Sequence, residues 1–187
     1  MSPQEQFEKD VVPTSAGDLI ITFLGHGSLM FDFNEVNISV DPFSQVADYA
    51  QLPKADLILI THEHQDHLDK GALASVRTDS TDLILTEICA RQVEGGIVMH
   101  NGDVRTIRGI QVEAVPAYNL VHKRDNGQPF HPKGIGNGYI LTFGDQRVYI
   151  AADTENTPEM KELTGIDVAF LPMNLPYTMT PEMSLTP

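Results

Sequence analysis

The run Asp56-Leu57-Ile58-Leu59-Ile60 passes without a break into Thr61-His62-Glu63-His64-Gln65-Asp66-His67, and this junction constrains the chain more than any other part of it. Four consecutive apolar residues behind an aspartate read as a strand buried on both faces, as in the parallel part of a layered α/β domain. The ends of such strands are where ligand groups converge. In extended chain His62 and His64 point the same way, because side chains alternate. A turn then carries Asp66 and His67 to a neighbouring position. Imidazole nitrogen and carboxylate oxygen suit zinc, manganese or iron. The bland alternative is a polar surface loop with chance histidines. Three of the chain's 7 histidines stand within this one segment, directly behind an apolar strand, and that concentration argues for a shared cation.

The flanking pattern predicts a mixed α/β domain. β-like runs fall at 19–24, 28–33 and 37–40, punctuated by Gly25-His26-Gly27 and Asn34-Glu35. A short helix is expected over 69–76, a strand over 83–86, a helix over 87–94, and β structure again over 97–115 with turns at Gly102-Asp103 and Arg108-Gly109. A long loop rich in Gly, Pro, His and Asn covers 116–137, a length that marks a functional or mobile segment. A hairpin over 139–143 and 147–150, a helix near 158–163 and a strand over 168–171 follow. Strands paired locally, then alternating with helices, imply two mixed sheets covered by helices. The whole chain, 1–187, reads as one domain with a loose arm over 1–16. Thr180-Pro181-Glu182 is a well-formed helix start, yet the sequence ends at Pro187, so we expect a domain shortened at its C-terminus.

Composition narrows the partners. The net charge of −14 disfavours broad binding of nucleic acid, although a local metal pair can reverse the field at one point. No apolar run approaches the roughly 20 residues that cross a bilayer. The start is polar and lacks the basic and apolar regions of a secretory signal. The single cysteine, Cys89, allows no internal disulfide and is expected to be packed in a helix. These features predict a cytoplasmic protein that acts on a small molecule, with an unfinished sheet edge that invites a homo-oligomer.

The His-x-His-x-Asp-His pattern resembles the signature of the metallo-β-lactamase superfamily. The likeness extends to Phe23-Leu24-Gly25-His26-Gly27-Ser28, to Ile38-Ser39-Val40-Asp41-Pro42-Phe43, to Ala151-Ala152-Asp153-Thr154, and to 167–172 with Tyr177-Thr178-Met179. These segments look like the branch that includes L-ascorbate-6-phosphate lactonase. The resemblance implies a four-layer αββα sandwich with one or two divalent ions, zinc or manganese foremost, at one edge of the paired sheets. His62 and His64 would hold the first ion, Asp66 and His67 the second, and Asp153 would bridge them. Asp41 would orient ligands. The chain departs from the family twice. The histidine expected after the strand near 112–118 is replaced by Asn119, so His122 or His131 must reach back, with His131 favoured by its constrained setting. The final histidine of the family, beyond a last helix and strand, has no counterpart before Pro187.

Smaller expectations concern His26, which either lines the cleft or makes a structural hydrogen bond, and Lys133, which either meets an anionic substrate or stays solvated. The implied chemistry is attack on an ester, lactone or phosphodiester by water activated at the metals, with Asp66 also holding the nucleophile. Two other readings remain open at this point: a shortened, weakly active or inactive metal-binding relative, and a nuclease of the same superfamily, the less favoured because no basic stripe is present.

Overall fold

The computed structural model describes residues 7–185. Twelve strands and four short helices follow in the order β1 (Glu8–Thr14), β2 (Gly17–Gly25), β3 (Ser28–Phe33), β4 (Val36–Val40), β5 (Leu57–Leu59), α1 (Lys70–Val76), β6 (Asp82–Leu85), α2 (Glu87–Ala90), β7 (Ile97–Val98), β8 (Val104–Ile107), β9 (Ile110–Ala117), β10 (Gly136–Phe143), β11 (Gln146–Ile150), α3 (Pro158–Lys161), β12 (Val168–Phe170) and α4 (Pro181–Ser184). The first seven strands form one sheet in sequence order, and the other five form a second in the order β12-β11-β10-β9-β8. Both are mixed: β1 to β4 are antiparallel neighbours and β4 to β7 parallel, while β12 joins β11 in parallel.

Side-chain alternation builds the layers. Leu57 and Leu59 face the second sheet, in a core shared with Phe31, Ile38, Val112, Tyr139, Leu141 and Phe143. Ile58 and Ile60 face the other way, against Ala72, Leu73 and Val76 of α1 and Cys89 of α2. The apolar run is therefore buried on both faces. Met160 and Leu163 cover the outer face of the second sheet over Ile140 and Tyr149. The result is the expected αββα sandwich with thin outer layers. Tyr139 is fully buried and donates its hydroxyl to the Ile60 carbonyl at 2.9 Å, and Asn137 N donates to Thr61 O at 2.9 Å, so the sheets are tied together next to the histidine segment.

Three expectations are corrected. The arm over 1–16 is not loose in its second half: β1 pairs with β2 from Glu8↔Phe23 to Thr14↔Gly17, whereas residues 1–6 lie outside the described part. Its charged residues and Pro13 hid a strand because it lies at a sheet edge, where charge and proline are tolerated. The helix expected over 87–94 closes as α2 at Ala90, although Val93 N still donates to Cys89 O. The loop over 116–137 shrinks to 118–135, because β9 runs on to Ala117 and β10 starts at Gly136. Among the described residues no helix is long and apolar enough to cross a membrane.

Candidate metal centre

Five chain segments meet at one edge of the sandwich, each just beyond a strand. The parallel register Val40↔Leu59 places the ends of β4 and β5 side by side, and Asp41 N donates to Leu59 O. Asp41 therefore stands beside Thr61, whose amide donates to Asp41 Oδ1 at 2.8 Å and whose hydroxyl donates to Oδ2 at 2.5 Å. The β2–β3 turn adds His26, the end of β11 adds Asp153, and the loop after β9 adds Asn119 and His131. His26, Asp41 and Ala152 all have positive φ (53°, 43° and 58°). Such conformations cost about 1–3 kcal/mol each and cluster at functional sites.

The donors form three overlapping groups: His62, His64 and His131; His62, His67 and Asp153; and His26, Asp66 and His67. In the first, His64 Nδ1 lies 3.2 Å from His62 Nε2 and 3.2 Å from His131 Nε2. Hydrogen bonds on the far side of each ring fix which nitrogen faces inward. His62 Nδ1 donates to the Thr61 hydroxyl at 3.0 Å, which itself donates to Asp41. His131 Nδ1 donates to Asn119 Oδ1 at 2.8 Å. His67 Nδ1 donates to Asp41 Oδ2 at 2.7 Å. All three rings thus turn Nε2 to the centre, the arrangement by which outer carboxylates and carbonyls prepare metal-binding imidazoles.

This set fits a divalent cation on two counts. His67 Nε2 is buried and without a hydrogen-bond partner, and it faces Asp153 Oδ1 at 3.6 Å and Asp66 Oδ2 at 3.9 Å. A buried polar atom in that position costs about 1–3 kcal/mol unless something satisfies it. His64 Nδ1, for its part, carries at most one proton, so it cannot satisfy both facing nitrogens. Cations at two neighbouring positions, one among His62, His64 and His131 and one beside His67, would satisfy these atoms. Asp153 stands between the groups, with Oδ2 at 3.3 Å from His131 Nε2 and 4.0 Å from His62 Nε2, and Oδ1 turned to His67.

The electrostatics differ from one side to the other. Burial, then the neighbouring imidazoles, hold His62 well below the ordinary histidine range; burial and His131 also lower His64. Both are neutral donors at physiological pH. Burial alone would lower His67 too, but the charge and hydrogen bond of Asp41, with Asp153 and Asp66, outweigh it and raise its pKa to about 9. Asp153 is held below the usual carboxylate range: burial pushes it up, yet its hydrogen bond from His131 and the charge of His67 prevail.

Other predicted residues fall elsewhere or take different roles. His26 Nε2 lies 2.9 Å from Asp66 Oδ2 and its ring packs near His67, so it joins the donor group of Asp66 and His67 as well as lining the cleft. Asn119 gives the centre no donor of its own and holds His131. His122 turns away and pairs with Glu155 Oε1 at 2.6 Å. Lys133 is bound to Glu159 at 2.6 Å and lies over the Tyr118 ring with its side chain mostly exposed, nearer the solvated of its two expected roles than that of a cation for an anionic substrate. The sequence reading missed Glu155, a fully buried carboxylate, and the role of Gly27, where a Cβ would come 2.8 Å from His67 Cε1. A glycine beside a histidine gave a hint of close approach for Gly27. Nothing in the sequence flagged Glu155.

The first donor group borders a hollow of about 10 Å³, room for little more than a water molecule. The second opens on a cleft of about 690 Å³ lined by His26, His67 and Asp153 together with Phe23, Leu29, Phe170, Leu171 and Met173.

Residues 20–185 match the beta-lactamase superfamily domain family, and the chain belongs to the metallo-β-lactamase superfamily. Among curated relatives, a UPF0173 metal-dependent hydrolase of Methanopyrus kandleri is 31% identical over 173 residues, covering 87% of this chain and 75% of the relative. One from Desulforamulus reducens is 30% identical over 177 residues, covering 88% and 76%. Among solved structures, one from Parabacteroides distasonis, whose name carries metal-dependent hydrolase as a provisional assignment, is 50% identical with a TM-score of 0.90 and covers 95% of this chain and 80% of that one. The metallo hydrolase Igni18 of Ignicoccus hospitalis is 25% identical with a TM-score of 0.68, covering 89% and 76%.

Proposed function

We propose that this chain cleaves an ester, lactone or phosphodiester bond in a small molecule, with His62, His64 and His131 holding one divalent ion, Asp66, His67 and His26 facing a second, and Asp153 between them. Its standing as a metal-dependent hydrolase of the superfamily is shared with its relatives. Zinc or manganese suits the mixed imidazole and carboxylate set. When bound, such ions lower the pKa of water and polarise the substrate's oxygen.

The chain's own residues supply the rest. Asp41 and Asn119 fix the tautomers of His67 and His131, and Thr61 that of His62. Asp66, half-exposed and paired with His26 of the cleft wall, would hold the attacking water. Among the described residues, no lysine or arginine lines the cleft, so attraction for an anionic group would come from the cations, and the apolar wall would take the body of the substrate. The similarity to the lactonase-containing branch makes a lactone the first substrate to try. The acidic surface favours such a small molecule in the cytoplasm over nucleic acid.

The observation that carries this reading is the buried, unpartnered His67 Nε2 facing two carboxylates beside a cluster of inward-facing imidazoles. Elemental analysis of the purified chain, beside a panel of lactone, ester and phosphodiester substrates, tests it. His64→Ala should lose metal and hydrolysis together; unchanged metal content in that variant refutes the assignment.

A further inference from the structure

We infer that Glu155 is a positioning residue of the metal centre, which it serves by anchoring the loop that delivers His131. The inference rests on the reading of His131 as a cation donor. Glu155 touches none of the three donor groups, and its carboxylate is fully buried. Oε2 accepts from Leu120 N at 2.7 Å and Val121 N at 2.6 Å. Oε1 accepts from His122 N at 2.7 Å, from His122 Nδ1 at 2.6 Å and, more weakly, from Asn119 Nδ2 at 3.3 Å. Its own amide donates to Tyr118 O at 3.0 Å. One side chain therefore satisfies three successive backbone amides of a loop that has no ladder to satisfy them.

A buried carboxylate is costly unless hydrogen-bonded throughout. Here the bonds converge on the residues beside Asn119, and Asn119 in turn grips His131 twice: Oδ1 accepts from His131 N at 2.7 Å and from Nδ1 at 2.8 Å. Asn119 N closes the loop by donating to His131 O at 2.9 Å. The line of contact runs from Glu155 through Asn119 to the ring whose Nε2 faces His64. Glu155 is also two residues from Asp153, so the segment after β11 sends one carboxylate into the centre and uses the other to hold the loop opposite. Hydrogen bonds of this kind behind metal-binding imidazoles typically change affinity by about 10–100-fold when removed.

The test is cobalt(II) titration of the purified chain, followed by the visible absorption of the bound ion, with amide hydrogen exchange over 119–131 measured on the same samples. In Glu155→Gln the amides of Leu120, Val121 and His122 should exchange faster, cobalt affinity should fall about 10–100-fold, and the spectrum should change. In a His131→Ala background the same substitution should cost nothing further, because the two act through one ring. Should Glu155→Gln not fold, Asn119→Ala cuts the same link while leaving the carboxylate on its amides; it should give the same cobalt loss and the same non-additivity. Unaltered cobalt affinity in the folded variant, or a full loss that persists without His131, overturns the inference while the cation reading stands. A wild-type chain that takes up no cobalt overturns the cation reading and this inference with it.

Discussion

The two sides of the metal centre share one segment, 61–67, yet they are built in opposite ways. The His62, His64 and His131 side is made of imidazoles around a hollow with room for little more than a water molecule, and His62 and His64 are driven toward the neutral form. The Asp66 and His67 side is rich in carboxylate, opens on a wide cleft, and draws His67 toward its protonated form. Identical side chains behave differently because Asp41 touches one ring directly and reaches the other only through the Thr61 hydroxyl. In the proposed function the closed side holds an ion and the open side meets substrate.

The largest break in this contrast should come from Asp41→Ala, which removes the partner of a buried imidazole and leaves Thr61 N without its acceptor. Loss of one partner of a buried pair costs about 3–5 kcal/mol, to be read from denaturant unfolding, and metal content should fall on the open side first. Proton accounting sharpens the contrast next. His67, with its pKa raised to about 9, must lose a proton to bind a cation, whereas His62 and His64 have none to lose near neutrality. Uptake on the open side should strengthen about tenfold per pH unit well below pH 9, and roughly fiftyfold from pH 7 to 9; calorimetry near pH 7 in buffers of differing ionisation enthalpy should find about one proton released from His67 for that ion. In the metal-free chain the sign is reversed for stability: the His67 contribution is complete below the ordinary histidine value of 6.5 and is lost as pH rises through about 9.

A smaller effect is expected from Gly27→Ala. The added Cβ would meet the His67 ring at 2.8 Å, so the ring must shift at a cost of about 1–3 kcal/mol. Elemental analysis should show the open side depleted and the closed side intact. Equal loss on both sides would merge the two regions into one. The smallest effect belongs to Asp69→Ala, which uncaps α1 without touching either side. Asp69 accepts from Gly71 N and Ala72 N, and its other oxygen accepts from Ser44. Thermal unfolding should register about 1 kcal/mol with metal content unchanged. Burial raises the Asp69 carboxyl, but its bonds from Ser44 and the α1 amides outweigh that and hold it below its ordinary 3.8. Its contribution is therefore present above that pH and lost as pH falls through the folded value.

Much of this was legible in the residues. The run ahead of Thr61 could only be a strand buried on both faces, and Leu57–Leu59 is one, with the expected segments on either side of it. The pattern His62-x-His64-x-Asp66-His67 set the donor types and one short stretch of backbone that holds them, because local spacing and alternation suffice to aim neighbouring side chains. Which residue completes the closed side could not be read locally: Asn119, His122 and His131 lie in one loop with no period to orient them, and the choice fell to Glu155, 24 residues beyond His131, which holds His122 and steadies Asn119. The strand β1 was hidden for a similar reason, since only the edge of β2 makes extended chain of that polar stretch. What the sequence determined by itself was the layered fold and the chemistry of its donors, through patterns with a period of a few residues. What only the tertiary structure decided was the pairing of groups far apart in the chain, because a hydrogen bond between distant segments leaves no spacing to read.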